Sequence, residues 1–117
     1  MNNDSNTPVI RDKADACVII PMYNECENAA AIIDAVMALP VLFDVLVIDD
    51  NSPDGTAAIV KDKMKQYAGR IDIIERAGKL GLGTAYIEGF RHCLAKGYEF
   101  ICEMDADFSH NPSDLLR

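Results

Sequence analysis

Apolar residues recur in this chain with two different rhythms. Unbroken apolar runs of strand length lie at 16–20 (ACVII) and 45–48 (VLVI), and mostly apolar ones, each with a single acidic residue, at 71–74 (IDII) and 100–104 (FICEM). Continuous runs of this kind, rather than alternating ones, belong to parallel strands covered on both faces. Between them apolar positions return at helical spacing. The first set is Ala29, Ile32, Ile33, Val36 and Met37, the second Ala57, Val60, Met64 and Tyr67, the third Tyr86, Phe90, Cys93 and Leu94. Asn24 suits the cap of the first helix, with Glu27 as capping-box partner, and Pro40 stops it. Ser52 and Pro53 suit the cap and first position of the second helix, which Gly69 ends. Gly97 closes the third. Strand and helix alternate from first to last, as in βαβ units with right-handed crossovers. The pattern predicts a doubly wound α/β fold over residues 16–117, a mainly parallel sheet with helices on both faces. Residues 1–15 read as a flexible arm, and no repeat or low-complexity tract interrupts the rest.

Composition narrows the functions open to such a fold. The 117 residues are 50% hydrophobic and 26% charged, a globular balance with one domain's worth of chain. Eleven basic against nineteen acidic residues leave a net charge of -8, which speaks against a basic nucleic-acid groove and suits a metal site or simple solubility. No apolar run approaches the roughly 18 residues of a membrane span. The first fifteen residues are polar and acidic, without the regions of a signal peptide. The four cysteines, at 17, 26, 93 and 102, form no CxxC pair, and reduced, mostly buried thiols of a cytoplasmic protein are expected.

In open α/β sheets ligands bind beyond the carboxyl ends of the strands. The chemistry-bearing residues collect at those ends. Pro21, Met22, Tyr23, Asn24 and Glu25 follow the first strand, and Asp49 to Gly55 follow the second. Glu75, Arg76, Lys79, Gly81 and Gly83 follow the third, and Asp105, Ala106, Asp107 and His110 the fourth. Asp105 and Asp107 put two hard carboxylates at a strand tip, the ligand type of Mg²⁺ or Mn²⁺. Asp50 is the candidate for ribose or base recognition, while the NSPDG that follows is also turn and cap chemistry. Tyr23 offers a stacking face and Glu25 an acceptor for a base. Lys79 and Arg76 are candidates to offset diphosphate charge beside the glycines of GKLGLG, which is neither a Walker loop nor a full GxGxxG.

Four segments, VIIPMYNE (18–25), VIDDNSPDGT (47–56), GKLGLGTAY (78–86) and MDADFSHNP (104–112), occur in the order found in polyprenyl-phosphate mannosyltransferases. The chain resembles that family, of the dolichyl-phosphate mannose synthase kind, within the inverting family 2 glycosyltransferases of A-type fold. The resemblance implies that Pro21, Tyr23, Glu25, Ile48 and Asp50 hold a guanine nucleotide and that Lys79 lies near the donor. It implies that Asp105, Ala106 and Asp107 form the metal and diphosphate site, with Mg²⁺ or Mn²⁺ as cofactor. Mannose would pass from GDP-mannose to a polyprenyl phosphate with inversion, on a protein peripheral to the inner face of the membrane. The family continues beyond the SHNP motif, so the resemblance implies a nucleotide-sugar half that stops after its fourth strand and does not turn over alone. A UDP-sugar donor is the alternative within this group. A receiver-type signalling domain shares the length and acidity, but there the acidic pair follows the first strand. A haloacid-dehalogenase-type phosphatase built on Asp105 and Asp107 would likewise carry its nucleophile on the first strand.

Overall fold

The computed structural model describes residues 14–78 and 81–106. Seven elements alternate along them: β1 (Ala16–Met22), α1 (Ala29–Met37), β2 (Phe43–Asp49), α2 (Thr56–Gln66), β3 (Ile71–Glu75), α3 (Leu82–Lys96) and β4 (Phe100–Glu103). The strands form one parallel sheet in the order β3-β2-β1-β4, in register from Ala16 against Phe43 and against Phe100. The expected doubly wound architecture is present, with four strands among the described residues. No helix of the described residues is long and apolar enough to cross a membrane.

Strand periodicity divides the core in two. Val18, Ile20 and Met22 of β1, with Val45 and Val47 of β2, point to one face and are covered by Ala29, Ile32, Ile33 and Val36 of α1 and Val60 of α2. Cys17, Ile19, Leu46 and Ile48 point to the other and are covered by Ala85 and Cys93 of α3. The central strands are thus buried on both sides, which is why their sequence reads as unbroken apolar runs. Gly89 lets α3 settle on β1: a Cβ there would lie 2.8 Å from Cγ2 of Ile19. Leu94, expected on the apolar face of α3, is instead exposed, because Ala85, Gly89 and Cys93 define the buried stripe.

Both expected caps are displaced. α1 begins at Ala29, not after Asn24, whose φ of 54° places it in the left-handed region. α2 begins at Thr56 behind Gly55, leaving Ser52, Pro53 and Asp54 outside the helix. Residues 14 and 15, read as part of the arm, are held at the base of the sheet. Ala14 N donates to Asp44 Oδ2 (2.9 Å), and the Asp15 carbonyl accepts from the amides of Glu99 and Phe100.

Candidate functional site

The displaced caps have one cause. The amides of Asn24, Glu25 and Cys26, which a helix start would orient along its own axis, donate across the rim to the segment after β2. Asn24 N reaches Ser52 Oγ at 3.0 Å, Glu25 N reaches Thr56 Oγ1 at 3.0 Å, and Cys26 N reaches Asp54 Oδ2 at 3.1 Å. Each acceptor is itself fixed. Ser52 Oγ donates to Asp49 Oδ1 at 2.6 Å, and Thr56 Oγ1 donates to Asp54 Oδ1 at 2.5 Å. The Thr56 hydroxyl and the amides of Cys26 and Thr56 hold the Asp54 carboxyl down at about 2. Asp49, buried, completes the turn by accepting from Ser52 N as well. The NSPDGT segment therefore braces the loop that carries Tyr23 and Glu25. Sequence reading assigned these residues to turn and cap chemistry and missed the brace, whose partners lie some thirty positions away in the chain.

Above this brace lies a cavity of about 170 Å³ lined by Pro21, Tyr23, Glu25, Asp50, Leu82 and Ala85 among others. Four of the sequence-derived nucleotide residues, Pro21, Tyr23, Glu25 and Asp50, are thus brought together on one surface. Tyr23 is partly exposed, as a stacking face must be. Ile48 is not on that surface: its side chain is fully buried beneath α3, because its position in β2 has the parity of Leu46.

Arg76 departs from expectation. It does not stand open to a diphosphate but lies buried against Asp50, with Nε 2.6 Å from Oδ1 and Nη2 2.9 Å from Oδ2. The same guanidinium donates to Thr84 Oγ1 (3.0 Å) and to the Gly81 carbonyl (3.2 Å), and Glu88 lies 3.6 Å away. Hydrogen bonding to Asp50 raises its pKa further above the ordinary value, against the opposing effect of burial. Such a bidentate pair fixes the plane of a carboxylate. Asp50 is therefore presented to the cavity in one orientation, tied to the start of α3.

At the tip of β4, Met104 N donates to the Ile19 carbonyl, so the strand's exit stays beside β1. Asp105 follows, partly exposed, and accepts from the Tyr86 hydroxyl at 3.3 Å. Burial and the charges of Asp105 and Glu103 push that phenol up to about 12, so it stays a donor at neutral pH. Ala106 is buried. Among the described residues no group of three or more His, Cys, Asp or Glu side chains gathers around one point. Asp105 is a hard oxygen donor at the strand tip, the chemistry a divalent cation requires. Asp107, Lys79 and His110 lie outside the described residues.

The sequence profile described as Glycosyl transferase family 2 matches residues 17–117. The chain is 42% identical over 108 residues to a polyprenol monophosphomannose synthase of Mycolicibacterium smegmatis, covering 92% of this chain and 41% of that protein. It is 42% identical over 99 residues to an undecaprenyl-phosphate mannosyltransferase of Micrococcus luteus, covering 85% and 40%. The chain thus spans about two-fifths of the length of these curated relatives. Among solved structures it resembles a mannosyltransferase of Pyrobaculum calidifontis in complex with GDP-Man and Mn²⁺, with a TM-score of 0.63 at 24% identity over 68% of this chain and 24% of that one. A glucosyl-3-phosphoglycerate synthase of Mycobacterium tuberculosis with Mn²⁺ and UDP gives 0.61 at 20% identity over 88% and 37%. These likenesses bear on the fold, which is that of A-type glycosyltransferases. With the profile spanning both the braced cavity and the tip of β4, this chain belongs to glycosyl transferase family 2.

Proposed function

We propose that the chain forms the donor side of a mannosyltransferase that moves mannose from GDP-mannose to a polyprenyl phosphate. The observation that carries this reading is the cavity itself. A stacking tyrosine, an acceptor at Glu25 and an oriented Asp50 converge at the carboxyl end of a parallel sheet, in a sequence 42% identical to two polyprenyl-phosphate mannosyltransferases. Guanine presents N–H donors on its Watson–Crick edge, and carboxylates are their natural acceptors.

The acceptor in this reading is a phosphate monoester, whose second pKa lies at about 6, so it is largely dianionic near neutral pH without a strong general base. The difficult event is departure of the nucleoside diphosphate from the sugar carbon. Asp105 with Asp107 would hold Mg²⁺ or Mn²⁺, which supplies Lewis-acid neutralisation of the leaving charge when bound. Attack on the face opposite the leaving group inverts the anomeric centre. Because the acceptor in this reading is a lipid, the protein would work peripherally at a membrane surface, in our reading the inner one.

Isothermal titration with GDP and with UDP, each with Mn²⁺ and with chelator, tests the reading. GDP should bind more tightly than UDP, Mn²⁺ should strengthen binding, and Asp50→Asn should erase most of the base preference. Preference for UDP would move the donor to another sugar nucleotide, and equal binding with chelator would remove the metal from the site.

A further inference from the structure

The cavity of about 400 Å³ at the amino ends of the strands, opposite the rim, serves none of this chemistry. It is lined by Cys17, Arg70, Asp72, His92, Lys96 and Tyr98, among others. Cys17 and Cys93 are both buried and belong to one cluster, on facing elements. Their meeting follows from geometry. As the crossover between parallel β3 and β4, α3 runs antiparallel to β1. Its Gly89 is pressed so closely on Ile19 that a Cβ would sit 2.8 Å away. From that contact, four helical residues descend about 6 Å to Cys93, and two strand residues descend about 6.6 Å to Cys17 on the same face. The two thiols arrive at one level in the same buried cluster, close enough that each shifts the ionisation of the other. A disulfide requires Cα atoms within about 7 Å, a separation open to two facing elements packed this closely.

We propose that Cys17 and Cys93 form a dithiol oxidation site, in which a small disulfide entering the 400 Å³ cavity is reduced and α3 is stapled covalently to β1. At the cavity Arg70 lies 3.7 Å from Asp44 and Lys96 3.4 Å from Asp72, a mixed-charge lining that a zwitterionic reagent of the glutathione disulfide class can meet. Ionisation of the pair is shared. The Cys17 S–H, with Lys96 adding to it, draws Cys93 down against burial, while Cys93 and burial push Cys17 up. The exchange starts once the pair has lost one proton, which Cys93 gives up more readily than Cys17. The Cys17 sulfur displaces one thiolate from the reagent as its proton passes to Cys93. Cys93 returns that proton to the departed thiolate, attacks the Cys17 sulfur and expels the second thiolate. Two electrons pass from the pair to the reagent, and one S–S bond replaces another. Neither cysteine lines the nucleotide cavity, so the site stands whatever sugar nucleotide is used.

The test uses the full chain with Cys26→Ser and Cys102→Ser, leaving only the two thiols in question. It is treated with oxidised glutathione without denaturant, alkylated and mapped by peptide mass spectrometry. The expected product is one peptide pair joining Cys17 to Cys93, with both thiols lost to alkylation, recovery on adding dithiothreitol, and a higher Tm for the oxidised form. Cys93→Ala in the same background should stop at a glutathione adduct on Cys17. Both thiols remaining alkylatable after treatment would overturn the proposal, as would a Cys17 adduct that accumulates while Cys93 is present.

Discussion

Replacing Arg76 by Met tests whether the Asp50–Arg76 pair is a structural clamp. The change keeps an unbranched side chain but removes both bonds to Asp50, together with those to Thr84 and the Gly81 carbonyl. The side chains of the pair are only 4% and 10% exposed, so water cannot replace what is lost. Removing one partner of a buried pair leaves an uncompensated charge and costs about 3–5 kcal/mol. Against a domain stability of about 5–15 kcal/mol this is a large share. The sign of a second change separates clamp from simple packing. Asp50→Leu/Arg76→Met removes the stranded carboxylate along with its partner, and an apolar replacement of a buried pair is often near neutral. The double variant should therefore be more stable than Arg76→Met alone, although it abolishes base recognition. Urea unfolding of the parent, both single variants and the double gives the four free energies of the cycle. An Arg76→Met cost below about 1 kcal/mol, the worth of an exposed ion pair, would refute the reasoning.

Gly89→Ala should destabilise the fold even though alanine is the better helix former by about 1 kcal/mol. Its Cβ would sit 2.8 and 2.9 Å from Cγ2 and Cδ1 of fully buried Ile19, and overpacking of this kind costs about 1–3 kcal/mol. A urea midpoint at or above the parent's would show that β1 and α3 part easily, and Ile19→Val should recover some of the loss by removing Cδ1. Asp54 supplies a pH signature. Its carboxyl is drawn from 3.8 to about 2 in the folded state, so its contribution is complete above 3.8 and disappears as the pH falls towards 2. Asp54→Asn should flatten the stability profile in that window, and an Asp54 titration midpoint near 3.8 by NMR would contradict the hydrogen-bonded brace.

What the sequence made legible was set by local period. Val45 to Ile48 read as a buried parallel strand because every side chain there has a core to enter, on alternate faces. Pro21, Tyr23, Glu25 and Asp50 could be placed on one rim because strand ends converge in this fold, whatever the detail of the loops. Helix starts were misplaced because the backbone amide of Asn24 and the hydroxyl of Ser52 bond to each other across the rim instead of serving a helix end. Local capping rules lose to a tertiary partner there. Arg76 was misread for a related reason. A cation in a glycine-bearing loop has the same sequence appearance whether it faces a ligand or turns inward to Asp50. The side chain of Ile48, which the family resemblance named, lies in the core beneath α3, a placement that local sequence does not announce.

The strand order divides the rim by distance along the chain. β1, β2 and β3 are neighbours in both sequence and space, so Tyr23, Glu25, Asp50 and their brace close through short segments. β4 reaches the sheet by pairing residues 100–103 with residues 16–19, across everything between them. Closing that long loop carries the larger entropy cost, and contacts of such separation form late. The nucleotide cavity can therefore assemble before the strand tip bearing Asp105 docks beside β1. During synthesis from the N-terminus the base-facing half of the rim emerges and closes first, and the carboxylate-bearing tip of β4 is added to a surface already built.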